Sequence, residues 1–240
     1  MVRVKKITIT LLCIAALLPV SKCSSGEITT EVMTGSEVDS KNQGFSYLGM
    51  VIGKPVSEEY SVIGRIFSGY LKYKFESAGK TLSAEVPILT PSIGIRTKRG
   101  DITLTGYAGL DMRRTNRETI SGGKEHTDAT GISIQGEMDM WGQGLRNLNV
   151  IANYSSIDSF FWGRIRAKKG ISEIGSHSNL LLGAEFVGMG NDDFTAAQTG
   201  LLLELSSSSP NLSLLLKGGY KYTSTYNDSI YGGLEFYYRH

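Results

Sequence analysis

Glu137 and Asp139 stand two residues apart in the stretch GISIQGEMDMWG. On an extended chain that spacing puts both carboxyls on one face. Two acids on one face are the minimum equipment for glycoside hydrolysis, one as proton donor and one as base or nucleophile. The competing reading is that they meet Arg and Lys from neighbouring strands, because a charge taken out of water demands a partner. Trp162, Arg164 and Arg166 alternate in FFWGRIRAKKG. Such a face suits a sugar, with Trp162 in contact with it, or an anion, and it equally suits interface aromatics backed by interior counter-charges. Nucleophilic catalysis needs a base, and the chain has three histidines, His126, His177 and His240. Each falls in a connection or at the last position rather than beside a cluster of acids, so a lipid acyl hydrolase using a loop histidine is the weaker reading. Cysteine or histidine spacing for a metal, a phosphate-cradling glycine loop and a nucleic-acid patch are all missing from the sequence. The expectation is a protein that is not an enzyme, with no catalytic residue, no metal and no cofactor.

The elements that would carry these residues announce themselves by period two, the spacing that sends alternate side chains to opposite faces of a strand. Leu212, Leu214, Leu216, Gly218, Tyr220 and Tyr222 share one face, with Ser213, Lys217, Gly219 and Lys221 on the other. The last segment repeats the pattern, with Ile230, Gly232, Leu234, Phe236 and Tyr238 set against Tyr231, Gly233, Glu235 and Arg239. Ile102 to Met112, Ile132 to Met140 and Leu148 to Tyr154 alternate in the same way. Turn chemistry at Gly53-Lys54-Pro55, Arg99-Gly100-Asp101, Gly142-Gln143-Gly144 and Asn191-Asp192-Asp193 separates the runs. From residue 45 onward this reads as eleven strands. Bacterial single-chain barrels normally have an even number, so the expected count is ten to twelve, with the segment from Glu27 to Thr34 as a candidate twelfth.

Soluble barrels also alternate, so the polar face decides the environment. That face carries Asp111, Glu137, Asp139, Arg164, Arg166, Glu185, Glu204, Lys217, Lys221, Glu235 and Arg239. It reads as a lumen charge network, structural or ligand-lining, with Glu185 and Glu204 expected against Lys217 and Lys221. The opposite face mixes Leu, Ile and Met with Ala and Gly, which fill a soluble core badly but are easily covered by lipid chains. Runs of this length cross a bilayer at a tilt, where about 9–11 residues are needed. The fold expected is all-β: an antiparallel up-and-down outer-membrane-type β-barrel in contact with outer-membrane lipid. A soluble periplasmic β-barrel or sandwich is the alternative. With the C-terminus in the periplasm, 115–129 becomes a long extracellular loop. The same count puts 170–177 on the periplasmic side, where so long a connection fits poorly.

Arg3, Lys5 and Lys6 precede an apolar run from Ile7 to about Val20, followed by Ser21, Cys23, Ser24 and Ser25. This is the pattern of a secretory signal peptide over residues 1–23, so Sec-type export is expected. Cys23 as a lipidated first residue would need a small neighbour where Lys22 stands. Removing residues 1–23 takes away Arg3, Lys5, Lys6 and Lys22 and no acid, so 25 basic residues become 21 against 23 acidic ones. The basic balance of the precursor therefore says nothing of nucleic acid. Residues 24–43 are then an N-terminal segment, flexible or one extra strand, and 44–240 the barrel domain.

GFSYLGMVIG (44–53), YSVIGRIFSGYLKYKF (60–75), TPSIGIRTKRGDITLTGYAGL (90–110), ANYSSIDSFFWGRIRAKKG (152–170) and LLLGAEFVGMGNDDFTAAQTGLLLEL (180–205) follow one another with characteristic glycine and aromatic placement. In that order they resemble the cellulose biosynthesis protein BcsS family, exported β-rich proteins found with bacterial cellulose-synthesis machinery. The resemblance implies a non-enzymatic accessory part in making or exporting cellulose, an exopolysaccharide. Its implied partners are that machinery or the polysaccharide, and it carries over no functional residue. A small outer-membrane solute channel is the alternative from another class. A mixed-charge lumen of ten to twelve strands speaks for a filled interior, since open aqueous channels usually need 16 or more.

Overall fold

The computed structural model describes residues 27–240 apart from Pro210 and Thr225. The signal peptide over 1–23, with its cleavage and Cys23, lies outside the described residues. The alternating runs form twelve antiparallel strands: β1 Thr29–Asp39, β2 Gly44–Pro55, β3 Tyr60–Ser77, β4 Lys80–Arg99, β5 Ile102–Glu118, β6 Lys124–Gly142, β7 Arg146–Ser155, β8 Phe160–Ile174, β9 Ser178–Gly190, β10 Thr195–Ser208, β11 Asn211–Thr223 and β12 Ser229–Arg239. Each pairs with its sequence neighbours, and β1 also pairs with β12, closing the barrel. The seam is tied at its end by reciprocal backbone hydrogen bonds between Thr30 and His240, at 2.9 and 2.8 Å. Thr29–Asp39 is the strand that makes the count even, so both ends of the barrel sheet emerge on one side. That side is taken as periplasmic.

The side-chain assignment follows the sequence pattern. Leu214 and Leu216 are 40% and 52% exposed, Leu201 and Ile230 both 69%. Phe236 and Leu234, the register partners of Leu214 and Leu216, share the outward face, while the intervening Leu215 and Tyr231 are buried and point into the lumen. The outer surface is therefore an apolar belt, with Tyr60 and Tyr238 near one edge and Tyr70, Tyr154, Phe161, Tyr220 and Tyr222 near the other. From Leu212 to Tyr222 the belt spans eleven residues of β11. At about 3.3 Å per residue and a tilt of about 40°, that is about 25 Å, the height of an outer-membrane barrel's apolar band. A soluble barrel with these leucines in its core is incompatible with this arrangement.

Two connections differ from expectation. The 115–129 insert is not a long loop: β5 and β6 stay paired out to Glu118 opposite Lys124, leaving only Thr119–Gly123 as the turn. Likewise β8 runs to Ile174 and β9 starts at Ser178, so 170–177 is mostly strand, with a register shift between Gly170 and Ser172. The residual turn, Gly175 to His177, is as short as its periplasmic neighbours.

Four strands are longer than the rest. β3, β4, β5 and β6 have 18, 20, 17 and 19 residues, against 10–15 elsewhere. Pairing of β3 with β2 stops at Lys72, and pairing of β6 with β7 stops at Ser133. Above those levels β3–β6 continue alone as a raised wall of about 15 Å, estimated at about 3.3 Å per residue. The β3–β4 hairpin closes in a two-residue turn, Ala78-Gly79, with φ of 49° and 72°. Two positive φ values match the right-handed twist of the flanking strands, and glycine meets that demand without strain.

Polarity inverts where the wall leaves the belt. Below, β3 sends Val62, Ile66 and Tyr70 outward; above, the same face carries Lys72, Lys74 and Glu76, while Leu71, Tyr73 and Phe75 point inward. β4 does likewise, with Ser83 and Glu85 outward and Leu82, Val86 and Ile88 inward. Outward apolar residues suit lipid and outward charges suit water, so the inversion marks the level of the extracellular interface.

Candidate functional site

The lumen is crossed by a charge network at mid-height. Arg166 on β8 donates two hydrogen bonds to Glu235 on β12, both 2.7 Å, and Nε donates to Glu185 on β9 at 2.9 Å. Lys217 on β11 reaches Glu37 at 2.7 Å, Glu235 at 3.1 Å and Glu185 at 3.8 Å. Tyr231 donates to Glu185 at 2.9 Å, and Gln198 to Glu37 at 2.7 Å. Arg164 lies 3.8 Å from Glu235, donates to Asn149 at 3.2 Å and rests over the Trp162 ring at 5.8 Å. Three cations, Arg164, Arg166 and Lys217, thus meet three acids, Glu37, Glu185 and Glu235, and the cluster is neutral. The six side chains are between 0% and 15% exposed. Because β8 and β12 are four strands apart in the closed order, the Arg166–Glu235 bridge spans the lumen instead of lying along its wall.

Glycines make room for this plug. A Cβ at Gly200 would sit 2.4 Å from the Tyr231 hydroxyl, and one at Gly35 would sit 2.6 Å from the Tyr47 ring. Only a residue without a side chain admits the tyrosines there.

The remaining sequence-predicted residues divide between the two ends. Toward the periplasm, Lys168 pairs with Glu204, and Glu137 accepts from Gln135 at 2.6 Å with Arg65 at 3.6 Å. Asp139 accepts from Trp141 at 2.7 Å and Asn147 at 2.9 Å. Arg239 reaches Glu31, which Arg96 holds in a two-pronged pair. Toward the outside, Asp111 binds Arg113 and accepts from Ser155, and Lys221 reaches Asp39 at 3.2 Å. The expected pairing of Glu185 and Glu204 with Lys217 and Lys221 is corrected in part: Lys217 does meet Glu185, but Lys168 takes Glu204 and Asp39 takes Lys221. Sequence reasoning missed Glu31, Glu37, Asp39, Arg65, Arg96 and Lys168. All share the inward parity of their strands, and that parity was the signal that could have found them.

The histidines do not assemble. His126 lies on the raised wall, while His177 and His240 are at the opposite end of the barrel. Glu137 and Asp139 are engaged by separate sets of amide, indole and guanidinium donors. Among the described residues no group of three or more His, Cys, Asp or Glu is placed to hold a metal ion.

The raised wall has its own electrostatics. Arg114 clamps Asp128 with two hydrogen bonds of 2.6 and 3.0 Å, and this holds the Asp128 carboxyl below its ordinary value. Hydrogen bonds from the side chain and backbone of Ser83 likewise lower Glu118. On its inner face Arg117 lies 5.1 Å over the Phe75 ring, and at the rim Arg113 lies 5.4 Å over Phe160. Below them Phe45, Tyr47 and Phe67 stack with centroids 5.6–6.4 Å apart and planes within 27°.

A family model for cellulose biosynthesis protein BcsS matches residues 33–240. The chain belongs to the BcsS family. This BcsS-family barrel is also similar in fold to an outer membrane channel from Pseudomonas putida F1, at 9% identity and a TM-score of 0.52, over 91% of this chain and 97% of that one. The β domain of the Bordetella autotransporter BrkA aligns at 12% identity and a TM-score of 0.50, over 90% and 99%. At such identities the likeness speaks of fold alone, and that fold is the outer-membrane β-barrel. No curated protein matches the BcsS chain in sequence. Membership associates the chain with cellulose biosynthesis, and the apolar belt places outer-membrane lipid against its outer surface.

Proposed function

We propose that this barrel is a non-enzymatic accessory protein of cellulose production, delivered to the outer membrane by Sec-type export after loss of residues 1–23. It supports synthesis or secretion without being the conduit. The observation that carries this reading is the neutral network bridging the lumen from Arg166 to Glu235, which occupies the path a permeant chain would take. The scattered histidines and the donors that engage Glu137 and Asp139 support a role without bond-making chemistry. Its partners are the cellulose-synthesis machinery or the polysaccharide.

The test is genetic and electrical together. A strain lacking the gene should release or retain less cellulose, and a His126→Ala/His177→Ala/His240→Ala variant should restore it fully. Purified barrel in a planar bilayer should show no steady current. Unchanged cellulose in the deletion strain would sink the accessory role; loss of complementation by the triple variant would favour the acyl hydrolase, and steady ion conductance the solute channel.

A further inference from the structure

We infer that the vestibule above the plug is a docking site for a neutral β-1,4-linked glucan, held by an aromatic strip that descends from the raised wall into the barrel mouth. This rests on the cellulose role proposed above and says where the polysaccharide is held.

The strip begins with Phe75 and Tyr73 on the inner face of β3, whose rings are 6.2 Å apart. It continues inside the mouth with Phe45, Phe67 and Tyr47, near-parallel rings at 5.6–6.4 Å. Trp162 stands on β8, six strands from β2 in the closed order and therefore across the lumen. Aromatic faces combine a large apolar area with a negative quadrupole. A β-1,4-glucan offers the matching surface, because its equatorial hydroxyls leave flat C–H faces on each ring. On β3 and β4 the inner wall turns Leu71, Tyr73, Phe75 and Leu82 inward, half-buried although they stand above the lipid belt, with Arg117 of β5 over the Phe75 ring. A sheet face in water that turns rings inward is built to hold something between itself and the barrel mouth.

Charge selects the occupant. Arg113 is paired with Asp111 at 2.6 Å, Lys221 with Asp39 at 3.2 Å, and Arg117 stands opposite Glu125 in register. Arg113 and Lys221 are each held by an acid and Arg117 lies over the Phe75 ring with Glu125 opposite it in register, so an anionic polysaccharide gains little net attraction there, whereas a neutral chain loses nothing. The strip ends at the plug, so the chain docks from outside and does not pass.

The experiment is calorimetric titration of the folded full barrel in detergent with cellohexaose, maltohexaose and an oligouronate, folding being checked by heat-modifiable migration. Cellohexaose should bind in preference to the other two. Tyr73→Ala/Phe75→Ala, altered only above the membrane, should weaken it at least tenfold, and Tyr73→Trp/Phe75→Trp should bind at least as well as the parent. No binding of cellohexaose, equal binding of maltohexaose, tighter binding of the oligouronate, or undiminished binding by the double alanine variant each overturns the inference. The accessory role is read separately, from cellulose output of the deletion strain. Lost output without cellohexaose binding overturns the docking site alone, and unchanged output overturns the accessory role.

Discussion

Glu235 is the acid through which the plug closes, and replacing it by glutamine keeps its volume while removing its charge. In the parent, Arg166 donates two 2.7 Å bonds to it, and Lys217 and Arg164 lie at 3.1 and 3.8 Å. After Glu235→Gln three cations face two acids, Glu37 and Glu185, in a space where the side chains are at most 15% exposed. Removing one partner of a buried pair costs about 3–5 kcal/mol, most of it the penalty of the stranded charge. With a urea dependence of about 2 kcal/mol per molar, the unfolding midpoint in vesicles should fall by about 1.5–2.5 M. Restoring balance with Lys217→Met in the same chain should recover at least half of that loss. A double-mutant cycle over the two positions should then give a coupling of about 0.5–3 kcal/mol. A midpoint shift worth less than about 0.5 kcal/mol for Glu235→Gln, the size of an ordinary surface change, would falsify the picture of a desolvated plug. It would mean the network is bathed in water and the lumen is open.

The lipid belt predicts a contrast on β11: Leu216→Lys, on the outward face at the middle of the belt, should cost about 2–4 kcal/mol near the bilayer midplane, whereas Ser213→Asn, on the inward face of the same strand, should cost far less in the same urea titration. Equal costs would mean that Leu216 does not face lipid. On the raised wall, Asp128 and Glu118 are held below their ordinary range by Arg114 and Ser83. Groups lowered in the folded state stabilise it above their unfolded value, and that stabilisation is lost as pH falls through the lowered one. Hydrogen exchange across 114–128 should therefore quicken in the acid range below the ordinary carboxylate values while the belt strands stay protected. Asp128→Asn should quicken it already at neutral pH, and an acid-insensitive wall would contradict the pairing.

The faces were legible because lipid enforces them. Leu212, Leu214 and Leu216 could go only to one side once Lys217 and Lys221 were assigned to the other, and the same parity located Arg166, Glu185, Lys217 and Glu235; it holds as well for Glu31, Glu37, Asp39, Arg65, Arg96 and Lys168, to which it was not applied. What parity cannot give is which charges meet. Glu204 finds Lys168 and Lys221 finds Asp39 because closure through β1 and the stagger of the strands bring distant sequence positions to one height. Those quantities leave no local trace. The wall was misread as a loop at 115–129 for a related reason. Beyond Met112 the outward positions are Arg114, Asn116 and Glu118, so alternation of apolar with polar residues fades although the pairing continues. Period two reports a boundary between two solvents, and a strand with water outside and only a half-apolar vestibule inside has a weaker one.

The same physics bears on where the barrel can act. In the membrane the sheet turns its apolar side outward and must satisfy its inward charges within the lumen, which the plug does at the expense of an open path. Above the membrane the constraint reverses on β3 and β4, which turn Lys72, Lys74, Glu76 and Glu85 to water and rings and aliphatic side chains inward, while β5 and β6 add Arg113, Arg117 and Glu125 to the inner face. On the accessory role proposed above, a lumen crossed by a neutral plug leaves the barrel two faces on which to meet cellulose or its machinery. Among the described residues the periplasmic face offers short turns, Gly100-Asp101 and Gln143-Leu145 among them. The outer face offers a wall about 15 Å high, from about 3.3 Å per residue, with an aromatic inner surface. Recognition of a flat, uncharged polymer needs area and rings more than charge, and the outer rim is where this chain has gathered them.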